Sequence, residues 1–90
     1  MKEKILEFLR GEFIGKLVEI VESKNKSLIG IKGKIVDETK NMFEIETPEG
    51  LKKVEKKICK FKFINEKIIV DGKIINCRPE DRLTKKFKDW

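Results

Sequence analysis

The sequence predicts a mainly β protein, a small antiparallel barrel of six or seven strands with a short helix at each end. Three observations carry that expectation: a succession of short runs alternating apolar with charged residues, tight-turn signals between them, and a chain of 90 residues with room for one domain. Closure of such a sheet hides the edges that an open one would expose. The barrel is expected over about residues 15–77, with helical segments at 2–10 and 79–90.

Residues 2–10 place Ile5, Phe8 and Leu9 at helical spacing, and Gly11 follows where a helix would stop. From Lys16 the period changes, and Leu17-Val18-Glu19-Ile20-Val21 reads as a strand, with Ser23 to Ser27 a polar loop. Between Gly30 and Val36, Ile31, Gly33 and Ile35 alternate with Lys32 and Lys34, so one face is buried while the other presents ammonium groups. Gly33 marks a bend or a close backbone approach. Asp37 to Asn41 is a turn, after which Phe43, Ile45 and Thr47 alternate with Glu44 and Glu46. In Thr47-Pro48-Glu49-Gly50, Pro and Gly occupy the positions that a type I turn prefers, leading into Leu51 to Val54. Cys59, Phe61 and Phe63 alternate with Lys60 and Lys62, and Ile68 to Val70 and Lys73 to Ile75 flank Asp71-Gly72, a two-residue hairpin signal. Pro79, the acids Glu80 and Asp81, and the late lysines Lys85, Lys86 and Lys88 suit the two ends of a helix whose apolar stripe is Leu83, Phe87 and Trp90.

The chain holds 22 Lys and Arg against 16 Asp and Glu, a net charge of +6 that favours a polyanionic partner. The excess is clustered: residues 23–34 carry four Lys and no acid, and residues 52–67 seven Lys against two acids, whereas residues 35–51 carry one Lys against five acids. Lys24 and Lys26 in one loop, Lys32 and Lys34 on one strand face, and Lys52, Lys53, Lys56 and Lys57 around another would join into a patch for phosphates. All six Phe and Trp90 fall on apolar faces, so recognition by shape and backbone is expected in place of base stacking.

Catalysis is hard to build here, because with neither His nor Tyr the commonest acid/base groups are missing. Glu44 and Glu46 share a strand face, which reads as solvated polar surface before it reads as a carboxylate pair. Cys59 and Cys77 are too far apart for a CxxC motif and no His completes a zinc set, so both are expected reduced and buried. No metal or cofactor is expected on the chain. No apolar run reaches the length of a membrane span, and a cytoplasmic location is expected. The stripes Ile5, Phe8, Leu9 and Leu83, Phe87, Trp90 admit two readings, packing on their own barrel or docking a protein partner.

Five strings then appear in order: Phe13-Ile14-Gly15, Ser27-Leu28-Ile29-Gly30-Ile31, Gly33-Lys34-Ile35-Val36-Asp37-Glu38-Thr39-Lys40-Asn41, Val70-Asp71-Gly72-Lys73 and Arg78-Pro79-Glu80-Asp81-Arg82. Together they resemble the archaeal ribonuclease P protein component 1 family, relatives of the eukaryotic twenty-nine-kilodalton subunit, over about residues 11–86. The resemblance implies an Sm-like barrel, assembly with a catalytic RNA that removes 5′ leaders from precursor tRNA using Mg²⁺, and pairing with a small zinc-ribbon subunit among other ribonuclease P proteins. It implies no catalytic residue on this chain. Lys34, Lys40, Arg78 and Arg82, which lie within the matching strings, are the foremost RNA-contact candidates, followed by Lys26 and Lys32. Ile5, Phe8, Leu9, Leu83 and Phe87 are the candidates for contact with the protein partner. The competing expectations are an SH3-like adaptor whose charge is incidental and, behind it, an autonomous nuclease.

Overall fold

A computed structural model describes residues 8, 9 and 11–78 of the protein. Six strands follow in chain order: β1 (Leu17–Ser23), β2 (Lys32–Glu38), β3 (Met42–Thr47), β4 (Gly50–Glu55), β5 (Cys59–Phe63) and β6 (Ile68–Asp71). Short 3₁₀ turns occupy Lys26–Leu28 and Lys56–Ile58. The strands form one antiparallel sheet in the order β4-β3-β2-β1-β5-β6.

The period-two pattern explains which side is buried. Val18 and Ile20, Ile35, Phe43 and Ile45, Val54, Cys59, Phe61 and Phe63, and Val70 all turn to one face and form a single core. Fully burying each such side chain stabilises the fold by about 1.5–3 kcal/mol. The sheet is strongly curled. In a flat sheet β3 and β5 would stand three strand spacings, about 14 Å, apart; yet the rings of Phe43 and Phe61 meet edge-on at 5.1 Å between centroids. Register shifts between Ile20 and Glu22 and between Ile35 and Asp37 mark irregularities of the kind that bend strands. Phe13 and Leu9 plug the concave side, with Phe13 4.9 Å from Phe63 and Phe8 4.8 Å from it.

Two expectations are corrected. The ladders do not close: β4 and β6 are edges and no pairing among the described residues joins them. Just past the two strands the chain meets closely, where a Cβ on Gly72 would stand 1.5 Å from the Lys56 carbonyl oxygen. Asp71-Gly72 does not form a hairpin, and there is no seventh strand among the described residues. Gly72 N–H donates instead to Cys59 O, Ile74 N–H to Asp71 O, and Asp71 Oδ1 accepts from Lys73 N–H, so the chain turns away into the core at Ile75. Of the expected helix 2–10 only Phe8 and Leu9 fall among the described residues, and the expected helix 79–90 lies outside them.

Two local features were well signalled. Thr47 Oγ1 accepts from Glu49 N–H and donates to Gly50 O at 2.7 Å, while Gly50 takes φ +117°, a value that suits glycine. Gly33 sits where a Cβ would be 2.1 Å from Glu46 O, a close backbone approach between β2 and β3.

Candidate nucleic-acid interface

The outward face of the sheet carries lysines and carboxylates in alternation. Lys32 lies opposite Glu19, which in turn lies opposite Lys62. Lys34 is flanked by Leu17 on one side and Glu46 on the other, and Lys53 stands across from Glu44, itself across from Asp37. Cross-strand opposite charges offset one another, so Lys32 and Lys34 belong to a mixed-charge surface and Glu44 and Glu46 to the same one.

The cationic excess gathers at the turn Lys56–Ile58, which carries the chain from edge strand β4 to β5. Lys56 itself points inward, in phase with Val54. Its side chain is 0% exposed; Nζ donates to Glu38 Oε2 at 2.6 Å, Thr39 O at 2.7 Å and Cys77 O at 3.2 Å, and lies 4.9 Å from the Phe43 ring centroid. The expectation that Lys56 joins a surface patch is therefore corrected: the alternation of β4 carries on into the turn and buries it. Thr39 precedes Lys40 and Cys77 precedes Arg78, and both cations are exposed.

On the other flank of the turn, Lys24 N–H donates to Ile58 O at 2.9 Å. Lys24, Lys57, Lys60 and Lys73 line a cleft of about 170 Å³ together with Glu22, Ser23, Ile58, Cys59 and Asp71. Lys60 pairs with Glu22 at 3.3 Å, but both side chains are largely exposed and the pair contributes little. Asp71 is engaged by the backbone of Lys73. Four ammonium groups thus face two carboxylates, and the cleft keeps a net positive charge.

Among the predicted RNA contacts, Lys40 and Arg78 are exposed and each follows a residue whose carbonyl accepts from Lys56 Nζ. Lys26 is exposed in the turn Lys26–Leu28, two residues beyond Lys24, where Asn25 Oδ1 accepts from Ser27 N–H and Oγ. Lys32 and Lys34 are exposed on the mixed sheet face, and Arg82 lies outside the described residues. Of the predicted partner contacts, Leu9 is 0% exposed in the core and Phe8 is half-buried against Phe13 and Phe63; Ile5, Leu83 and Phe87 lie outside the described residues. The motif reading did not single out Lys60 and Lys73. The signal for Lys60 was its outward phase at the start of β5; nothing local in the sequence joins Lys73 to it.

Cys59 and Cys77 are free and buried. Burial pushes the Cys59 thiol above its ordinary range, the Ser23 hydroxyl opposing and the Glu55 carboxylate adding to the rise. Such a thiol is a packing group and a poor nucleophile. Among the described residues no helix is long and apolar enough to cross a membrane.

Residues 6–85 match the family model described as ribonuclease P/MRP, subunit p29. The ribonuclease P protein component 1 of Methanocaldococcus jannaschii is 51% identical over 83 residues, spanning 89% of this chain and 87% of that one. Its counterpart in Methanosphaera stadtmanae is 47% identical over 81 residues, 87% of each chain. A solved structure of Mth11, described as a homologue of human RNase P protein Rpp29, superposes with a TM-score of 0.56 at 38% identity, covering 80% of this chain and 97% of that one. A match over nearly the whole length, with relatives about half identical across most of both chains, makes this protein a member of the ribonuclease P/MRP p29 subunit family.

Proposed function

We propose that this chain is a non-catalytic subunit of ribonuclease P that binds the catalytic RNA through the cations around the Lys56–Ile58 crossover. The observation that carries the reading is the convergence there of Lys24, Lys57, Lys60 and Lys73 in one cleft, while Lys40 and Arg78 each follow a carbonyl held by Lys56. Ammonium and guanidinium groups so placed neutralise phosphates and release counterions, which gives affinity and salt dependence without reading sequence.

In this reading the RNA performs the Mg²⁺-dependent hydrolysis that frees 5′ leaders from precursor tRNA, and the protein stabilises the RNA fold and helps position substrate. The terminal segments 2–10 and 79–90, as helices, flank the curled sheet and carry Ile5, Leu83 and Phe87 to the zinc-ribbon subunit and the other protein subunits. The particle works in the cytoplasm. Family membership supports the assembly, and the absence of His and Tyr from the chain supports leaving chemistry to the RNA.

The test is reconstitution of precursor-tRNA cleavage at limiting Mg²⁺ with and without the protein. Stimulation by the wild-type chain, weakened when Lys24, Lys57, Lys60 and Lys73 are changed to Ala, is the expected result; equal cleavage in its absence counts against the reading. An SH3-like adaptor remains the second reading, favoured by an apolar groove of about 600 Å³ where Leu17 (39% exposed) and Ile29 (46% exposed) face Pro48. A gel-shift titration against structured RNA separates the two, since an adaptor shows only feeble retention.

A further inference from the structure

We infer that Lys56 is a positioning residue, an internal clasp that sets the spacing of two RNA-contacting cations, Lys40 and Arg78; this rests on the RNA-binding reading above. The ammonium joins two separate pieces of chain: Glu38-Thr39, where β2 passes into the β2–β3 turn, and Cys77 in the segment that follows β6. Because Thr39 O and Cys77 O lie 2.7 and 3.2 Å from one nitrogen, the two oxygens are held within about 6 Å of each other. The next residue in each segment is a solvent-exposed cation. The clasp thereby ties the backbone that leads into one exposed cation to the backbone that leads into the other.

Stability alone is a weak reason for this arrangement. A fully buried ion pair is often no better for folding than apolar side chains of the same volume, since desolvation offsets the attraction. An apolar pair, however, has no N–H groups to hold two backbone carbonyls. What the ammonium adds is geometry: it ties the β2–β3 turn to the segment after β6, which no strand ladder connects. Glu38 balances the charge, and the face of the Phe43 ring supports it.

The experiment uses the full chain and a ribonuclease P RNA transcript. The double variant Lys56→Met/Glu38→Leu replaces the pair with apolar groups and keeps a folded core, checked by circular dichroism and cooperative melting. RNA affinity is expected to fall about tenfold at low salt, and the salt slope to drop by roughly one to two. Adding Lys40→Ala to that variant then costs little further affinity, whereas Lys40→Ala in the wild-type background weakens binding clearly. A folded double variant with wild-type affinity and slope overturns the inference while leaving the RNA reading intact; a wild-type chain that does not retain the RNA overturns both.

A second measurement leaves Lys56 unchanged, in case the double variant does not fold. In a cycle of Lys40→Ala, Arg78→Ala and their combination, the two losses should depart from additivity by threefold or more, because the clasp makes the cations act on one stretch of RNA. Independent, multiplicative losses overturn the inference.

Discussion

At the scale of single residues, surroundings decide what a lysine does. Lys34 faces Glu46 across the ladder, Lys40 and Arg78 face no carboxylate in the ladders of the described residues, and Lys56 is enclosed. Lys40→Ala and Arg78→Ala should therefore each weaken binding to ribonuclease P RNA several-fold and lower the salt slope by about one, whereas Lys34→Ala should change affinity less than twofold, as filter-binding titrations over a salt series would reveal. Lys56→Ala breaks the buried ion pair with Glu38 and releases the Thr39 and Cys77 carbonyls, for which a loss of about 3–5 kcal/mol is expected in urea melts. The raised thiol of Cys59 has its own consequence. The native state holds that proton more tightly than the unfolded chain, so the associated stability is complete below the ordinary thiol value of about 8.5 and drains as pH rises through it towards the folded one. Alkylation by iodoacetamide at pH 8.5 should accordingly be much slower at Cys59 in the native protein than in urea.

Elements follow from patterns that the sequence displays openly and from packing that it does not. Alternation in Val18/Ile20, Phe43/Ile45 and Phe61/Phe63 located β1, β3 and β5, and the Thr47–Gly50 signal located the β3–β4 turn. The same rule, carried two residues past Val54, would have placed Lys56 inside; its charge masked the phase. Asp71-Gly72 misled for a different reason. Glycine is demanded there not by a hairpin but by the backbone of Lys56, against which a Cβ cannot fit. Gly72→Ala should thus destabilise the protein by about 1–3 kcal/mol and loosen the crossover, with faster hydrogen exchange at the Gly72 and Lys24 amides as the check. A Gly33→Ala variant, pressed against Glu46 O, should show comparable destabilisation without altering exchange at the crossover.

For the molecule as a whole, net charge in the sequence indicated a polyanion but not where it would bind. Clusters counted along the chain suggested that one sheet face would be cationic, and the register instead interleaves that face with carboxylates. The concentration of charge arises from topology: the link from an edge strand to β5 draws together the end of β1, the β2–β3 turn and the segment after β6, which are remote in sequence. Such convergence depends on strand order and on one buried ammonium, neither of which local motifs report. The resemblance to ribonuclease P subunits supplied the family in advance, and the cleft proposed for RNA emerges only in three dimensions. The decisive measurement compares two fourfold variants of the full chain by salt-dependent binding to ribonuclease P RNA: Lys24, Lys57, Lys60 and Lys73 to Ala against Lys32, Lys34, Lys53 and Lys62 to Ala. The account predicts that the first loses most of its affinity and salt slope while the second retains most of both; equal losses in the two, or the reverse order, would contradict it.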